Sequence, residues 1–141
     1  SVEDLITIYK MYVLPTLEYG AVIWSSSISK NQSQSLERVQ KRALRIIAYP
    51  HLLPYTDLLC KFNMQELSVG RVQLITNFAQ SLLTSPRHRH FLPSTRQMLS
   101  DHSLRNSNHL DIPYCRTQRY KQSPIIYMCQ LLNDLQSQNS W

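Results

Sequence analysis

Four cations stand close together between Lys30 and Ile47: Arg38, Lys41, Arg42 and Arg45. At about 100° per residue they fall on one side of a helix, three and four residues apart, where like charges repel only mildly. Such a face costs little in water and suits a polyanion. Leu36, Val39, Ala43, Ile46 and Ile47 fall on the other side, with Gln40 at its edge. The same pattern equally describes the solvated surface of a packed helix, so the charges alone leave both readings open.

A second basic group interleaves cations with rings: Tyr114, Arg116, Arg119, Tyr120 and Lys121. Rings can stack on bases while cations neutralise phosphates. Equally, Tyr120 can pack on a terminal helix with the arginines solvated. Catalytic chemistry is harder to find. Two-metal phosphoryl transfer needs clustered carboxylates holding Mg²⁺ ions about 4 Å apart. The adjacent acids Glu3 and Asp4 sit at a helix start, where capping is the expected role. His88 and His90 lack the paired ligands of a structural zinc site, because Cys115 and Cys129 are far apart in the chain. No Gly-rich phosphate loop or nucleophile elbow occurs, and the scattered serines read as caps and loops.

These residues need elements to hold them. The chain has 141 residues, 43% hydrophobic and 17% charged, enough for one domain with a core. Two glycines against seven prolines point to helices punctuated by proline rather than a turn-rich β fold. The net charge of +6, with arginine outnumbering lysine ten to five, favours an anionic partner, nucleic acid before membrane. Three widely spaced cysteines (Cys60, Cys115, Cys129) suggest no disulfide framework and a reducing, intracellular setting, nucleus or cytoplasm. No apolar run is long enough to span a bilayer. The chain starts Ser-Val-Glu-Asp without an initiator methionine, as a piece of a longer protein would.

Leu5, Ile8, Tyr9 and Tyr12 predict an amphipathic helix over Val2 to Leu14, capped by Ser1 and ended or kinked by Pro15. Pro15 to Trp24 forms a second segment with Leu17, Ala21 and Trp24 along one side, and Gly20 leaves room for another backbone. Tyr12, Tyr19 and Trp24 share the apolar stripes and are expected in the core. Ser29 or Asn31 caps the basic helix. Tyr55 to Phe62 reads as a short helix with Leu58, Leu59 and Phe62 inward. Ser68 caps a longer one to about Ser85, striped by Val72, Ile75, Ala79, Leu82 and Leu83. From Pro86 to Asn108 apolar periodicity is lost, leaving a loop with one helical turn near Gln97. His109 to Tyr120 suggests two short extended runs. Ser123-Pro124 then starts a terminal helix striped by Ile125, Met128, Cys129, Leu132 and Leu135.

Two blocks of the chain resemble a known family. The first joins Tyr9-Lys10-Met11-Tyr12-Val13-Leu14-Pro15-Thr16-Leu17-Glu18-Tyr19-Gly20-Ala21-Val22-Ile23-Trp24 to Leu36-Glu37-Arg38-Val39-Gln40-Lys41-Arg42-Ala43-Leu44-Arg45-Ile46-Ile47. The second is Arg116-Thr117-Gln118-Arg119-Tyr120-Lys121-Gln122-Ser123-Pro124-Ile125-Ile126, with Leu131-Leu132-Asn133 behind it. They resemble the region after the catalytic palm in reverse transcriptases of non-LTR (LINE-type, jockey-like) retrotransposons. Ile126 stands where that family usually has proline, and Leu132 where many members have tryptophan. Both differences touch packing more than chemistry.

The resemblance implies a helical thumb with a C-terminal extension that lies along a template–primer duplex. Chemistry would belong to palm carboxylates upstream of Ser1, and so would their magnesium. The expectation is therefore a mostly α protein, a small bundle of about five helices. A basic irregular segment would interrupt it, with room for one short hairpin before the terminal helix. Residues 1–50 would be thumb-like, 51–85 a helical extension, 86–122 a basic linker and 123–141 the terminal helix and tail. The chain itself would be no enzyme and need no cofactor. It would bind RNA, DNA or their hybrid through Arg38, Lys41, Arg42 and Arg45, and through Arg116, Arg119, Tyr120 and Lys121. The upstream palm would be its protein partner. The alternative is a helical interaction or assembly module, which fits a domesticated retroelement fragment too. It requires Leu5, Tyr9 and Tyr12 to be exposed.

Overall fold

In the computed structural model, which describes residues 1–99 and 106–138, a capping box on Ser1 starts α1 (Val2–Ile8). The amide of Asp4 donates to the Ser1 hydroxyl at 3.2 Å while the Asp4 carboxylate accepts from the amino terminus at 2.9 Å. Pro15 does not end the helical run that α1 begins. The chain passes through a π-helical turn, Tyr9–Val13, where the Leu14 amide donates to the Tyr9 carbonyl five residues back. It then resumes as α2 (Leu14–Glu18) with Pro15 in the first turn. The wider turn relieves the clash between a proline ring and the carbonyl four residues before it.

Tyr19 (φ −56°, ψ 125°) and Gly20 (φ 64°) then make a tight turn into α3 (Ala21–Trp24). Positive φ at the second central position is what a type II turn asks of glycine. Gly20 therefore serves this turn, and the continuous segment expected from Pro15 to Trp24 is two short helices.

The longest helix is α4 (Lys30–Ala48), followed by α5 (Tyr55–Lys61), α6 (Leu67–Thr84), the single-turn α7 (Gln118–Lys121) and α8 (Pro124–Gln138). The protein is mostly helical, and among the described residues no strand occurs. The expected short hairpin is absent there. Thr95 and Leu110 instead form an isolated antiparallel bridge, and the second extended run is replaced by α7. Residues 100–105, with His102 and Arg105, lie outside the described residues.

The chain divides into two compact units. One comprises Ser1–Ala21 and Ile28–Val72, the other Val22–Ser27 and Gln73–Trp141. The first packs Tyr9, Leu44, Ile47, Ala48, Leu58, Leu59 and Phe62 into its core. Here α5 ends in a Schellman motif, with Asn63 at φ 48° and the Met64 amide donating to the Leu59 carbonyl at 2.9 Å. Gly70 has a reason beyond propensity: a Cβ there would lie 2.8 Å from Oε1 of Glu18.

The second unit packs Ile75, Ala79 and Leu82 of α6 against Met128, Cys129 and Leu132 of α8, with Leu92 and Leu110 added from the proline-rich segment. Burial pushes the Cys129 thiol up to about 11, as suits a core residue. The expected turn near Gln97 is present as a 3₁₀ turn, Arg96–Leu99. Asn133 fastens the irregular chain to α8: its Oδ1 accepts from the Leu110 amide at 2.8 Å and its Nδ2 donates to the Leu110 carbonyl at 3.1 Å. Replacing it orphans both buried groups. Asn133→Ala should therefore lower unfolding free energy by about 2 to 3 kcal/mol in urea titrations. Asp134→Ala, on the exposed side of the same helix, should stay within about 0.5 kcal/mol of wild type.

Candidate nucleic-acid interface

The basic face begins with a well-made helix. The Gln32 amide donates to the Ser29 hydroxyl at 3.2 Å, and the Ser29 amide donates to Oε1 of Gln32 at 2.8 Å, so of the two expected caps it is Ser29 that serves. What sets the rotation of α4 is Gln40. It is 0% exposed rather than at the edge of the apolar side. Its Oε1 accepts from the Tyr9 hydroxyl at 3.0 Å, and its Nε2 donates to the Tyr55 hydroxyl at 3.0 Å and to the Gln65 carbonyl at 2.8 Å. The Tyr55 hydroxyl donates in turn to Glu37, which also accepts from the Leu67 amide at 3.2 Å. Every member of this network has a partner, the condition under which buried polar groups are tolerated.

With Gln40 and Leu44 at the centre of the buried face, Val39 and Ile46 turn outward, contrary to the sequence expectation. The exposed face is thus an arginine stripe, Arg38, Arg42 and Arg45, bordered by two aliphatic side chains. Among the described residues none of these arginines has a carboxylate partner. Arg45 also suits the negative end of the helix dipole. At 1.5 Å per residue the three span about 10 Å, against about 3.4 Å per nucleotide along one strand of a duplex. Lys41 departs from the stripe. It is half-buried, with Nζ 5.7 Å from the centroid of the Tyr55 ring, a cation–π contact on the flank of the helix.

The other predicted residues lie in the second unit. Thr117 caps α7 by accepting from the Tyr120 amide at 3.2 Å. Arg116, Arg119 and Lys121 are exposed, and Tyr120 is 46% exposed. Sequence reasoning missed the outward position of Val39 and Ile46. The signal was there, since Gln40 lies between Leu36, Ile47 and Leu44 on the helical wheel. Among the described residues no three of His, Cys, Asp or Glu come together as a metal-binding group. His88 is occupied instead by the Ser85 hydroxyl, 3.1 Å from its Nδ1. Compared with protein-family models, with curated proteins and with solved structures, the chain gives no match.

Burial, then the nearby charges of Glu37 and Glu18, pushes the Tyr9 hydroxyl up to about 12. The folded state therefore holds this proton more tightly than the unfolded chain, whose tyrosine titrates near 10.0. Its contribution to stability is complete below that pH and is lost as pH rises through the folded value. In urea titrations, the stability difference between wild type and Tyr9→Phe should be flat below pH 10 and shrink steadily between pH 10 and about 12.

Proposed function

We propose that this chain is the non-catalytic, nucleic-acid-binding thumb and C-terminal region of an RNA-directed DNA polymerase of the non-LTR retrotransposon kind. The observation that carries the reading is the stripe of Arg38, Arg42 and Arg45 on the longest helix, exposed and without carboxylate partners among the described residues. The net charge of +6 and the family resemblance of the Tyr9–Trp24 and Leu36–Ile47 blocks support it. The guanidiniums would meet successive phosphates of an RNA–DNA hybrid while the Gln40 network holds the helix in one rotation. Polymerisation would belong to palm carboxylates and their magnesium, in the partner domain the resemblance implies. The 116–121 segment would add a second set of phosphate contacts.

A different observation favours a protein-interaction module. Leu5, Ile8, Met11 and Tyr12 are all exposed, Tyr12 at 68%, although Tyr9 is buried. Tyr12 and Tyr19 are therefore not the core residues the sequence suggested, whereas Trp24 is half-buried. Among the described residues no helix is long and apolar enough to cross a membrane.

Two measurements separate these readings. In fluorescence anisotropy with a labelled RNA–DNA hybrid, wild-type affinity should fall steeply with salt. Arg38→Gln/Arg42→Gln/Arg45→Gln should flatten that slope by about 2 to 3 log units per log unit of salt. Equal slopes in two folded proteins would remove the arginine stripe from the interface. Sedimentation should show a monomer at every concentration under the first reading. Association that Leu5→Lys/Tyr12→Lys abolishes would favour the second.

A further inference from the structure

The second unit holds a cleft of about 480 Å³ that the sequence did not suggest. That volume suits a small organic ligand. Its floor includes the buried side chains of Leu92 and Ile126, and Phe91 and Tyr120 line it while remaining 55% and 46% exposed. The segment carrying Phe91 is pinned: the Arg89 guanidinium donates to the carbonyls of Leu92 at 3.1 Å and Pro93 at 3.0 Å. The His90 ring lies against the phenyl, with centroids 4.2 Å apart. The His88 ring lies further off, with its centroid 6.2 Å from that of Phe91. Half-exposed rings lining one cleft are side chains on which a flat partner can stack.

Charge decides between partners. None of the cleft's lining residues is acidic, and Tyr120 stands on a single turn between the exposed cations Arg119 and Lys121, with exposed Arg116 just before it. Among the described residues no carboxylate pairs with those three. An apolar peptide would use the rings and leave the cations idle. We infer that this cleft takes an unpaired nucleobase of a single-stranded nucleic acid, with Arg116, Arg119 and Lys121 on the adjoining phosphates. The inference rests on the reading that the chain binds nucleic acid. It adds a single-strand subsite in the second unit to the phosphate contacts of α4.

The test uses the full chain and a short labelled oligo(dT), compared with an abasic strand of equal length that keeps every phosphate. Wild type should bind the strand with bases about tenfold more tightly. Phe91→Ala and Tyr120→Ala, whose half-exposed rings leave the core of Leu92, Leu110 and Leu132 intact, should bind both strands alike. For Phe91→Ala, which lies outside the 116–121 segment, affinity for the abasic strand should match wild type. Equal binding of both strands by wild type, with the RNA–DNA hybrid still bound, would overturn the subsite and leave the α4 reading standing. Failure to bind strand or hybrid would overturn both. Poly-glutamate binding that Phe91→Ala abolishes would reassign the cleft to an acidic protein segment and overturn the inference.

Discussion

One buried amide governs the first unit. Gln40 accepts one hydrogen bond, from the Tyr9 hydroxyl, and donates two, to the Tyr55 hydroxyl and the Gln65 carbonyl, so that the π turn, α4, α5 and the approach to α6 share a single polar centre. Each such bond contributes on the order of 1 kcal/mol net, whereas an unpaired buried partner costs about 1 to 3. That asymmetry makes the network a constraint more than a source of stability. A rotation of α4 by one residue would strand several groups at once. The arginines face outward because the amide faces inward.

How much of this could be read beforehand follows the same division. Local signals held where chemistry is local: Ser29 with Gln32, Ser1 with Asp4 and the proline at the start of α8 all announce helix starts by short-range hydrogen bonding or backbone preference. The stripe of α6 also stood out, because burial on one side leaves a period: Ile75, Ala79 and Leu82 are buried and Leu83 packs against them, although Val72, expected with them, is 40% exposed. A sequence reading sets Gln40 at the edge because it is an amide, although its place on the wheel lies among Leu36, Ile47 and Leu44. Its partners Tyr9, Tyr55 and Gln65 are distant in sequence. Arg38, Arg42 and Arg45 were legible as one face, whereas the detachment of Lys41 depended on the ring of Tyr55.

The second unit shows another way to build without periodicity. Among its described residues the proline-rich stretch contributes isolated apolar side chains to the core, Leu92 and Leu110, with Ile112 partly buried against it. Main-chain groups do the fastening instead. Asn133 grips the backbone of Leu110, Arg89 closes the turn at Leu92 and Pro93, and Ser26 and Ser27 both donate to the Gln122 carbonyl, at 2.7 and 3.2 Å. Side chains that bind backbone leave no hydrophobic pattern, so a loop held this way looks unstructured on paper. The ring of Phe91 escapes notice for the same reason, whereas Tyr120 stood out by its basic neighbours.

The π turn at Tyr9–Val13 has a consequence for how the N-terminal segment can change. It spends one residue more than an α turn, which sets α2 back by about 100° relative to α1. Leu5 and Ile8, which precede the turn, are exposed as Tyr12 is, so the outward face of this segment does not depend on the extra residue. Loss of any one residue in the turn would restore the ordinary ladder up to Pro15. It would also swing α2, with the Glu18 carboxylate that Gly70 accommodates, to a new azimuth. A point substitution in this segment leaves that azimuth in place, whereas a single-residue deletion moves it. The direction in which α2 points is thus set by the number of residues in the turn more than by which residues they are.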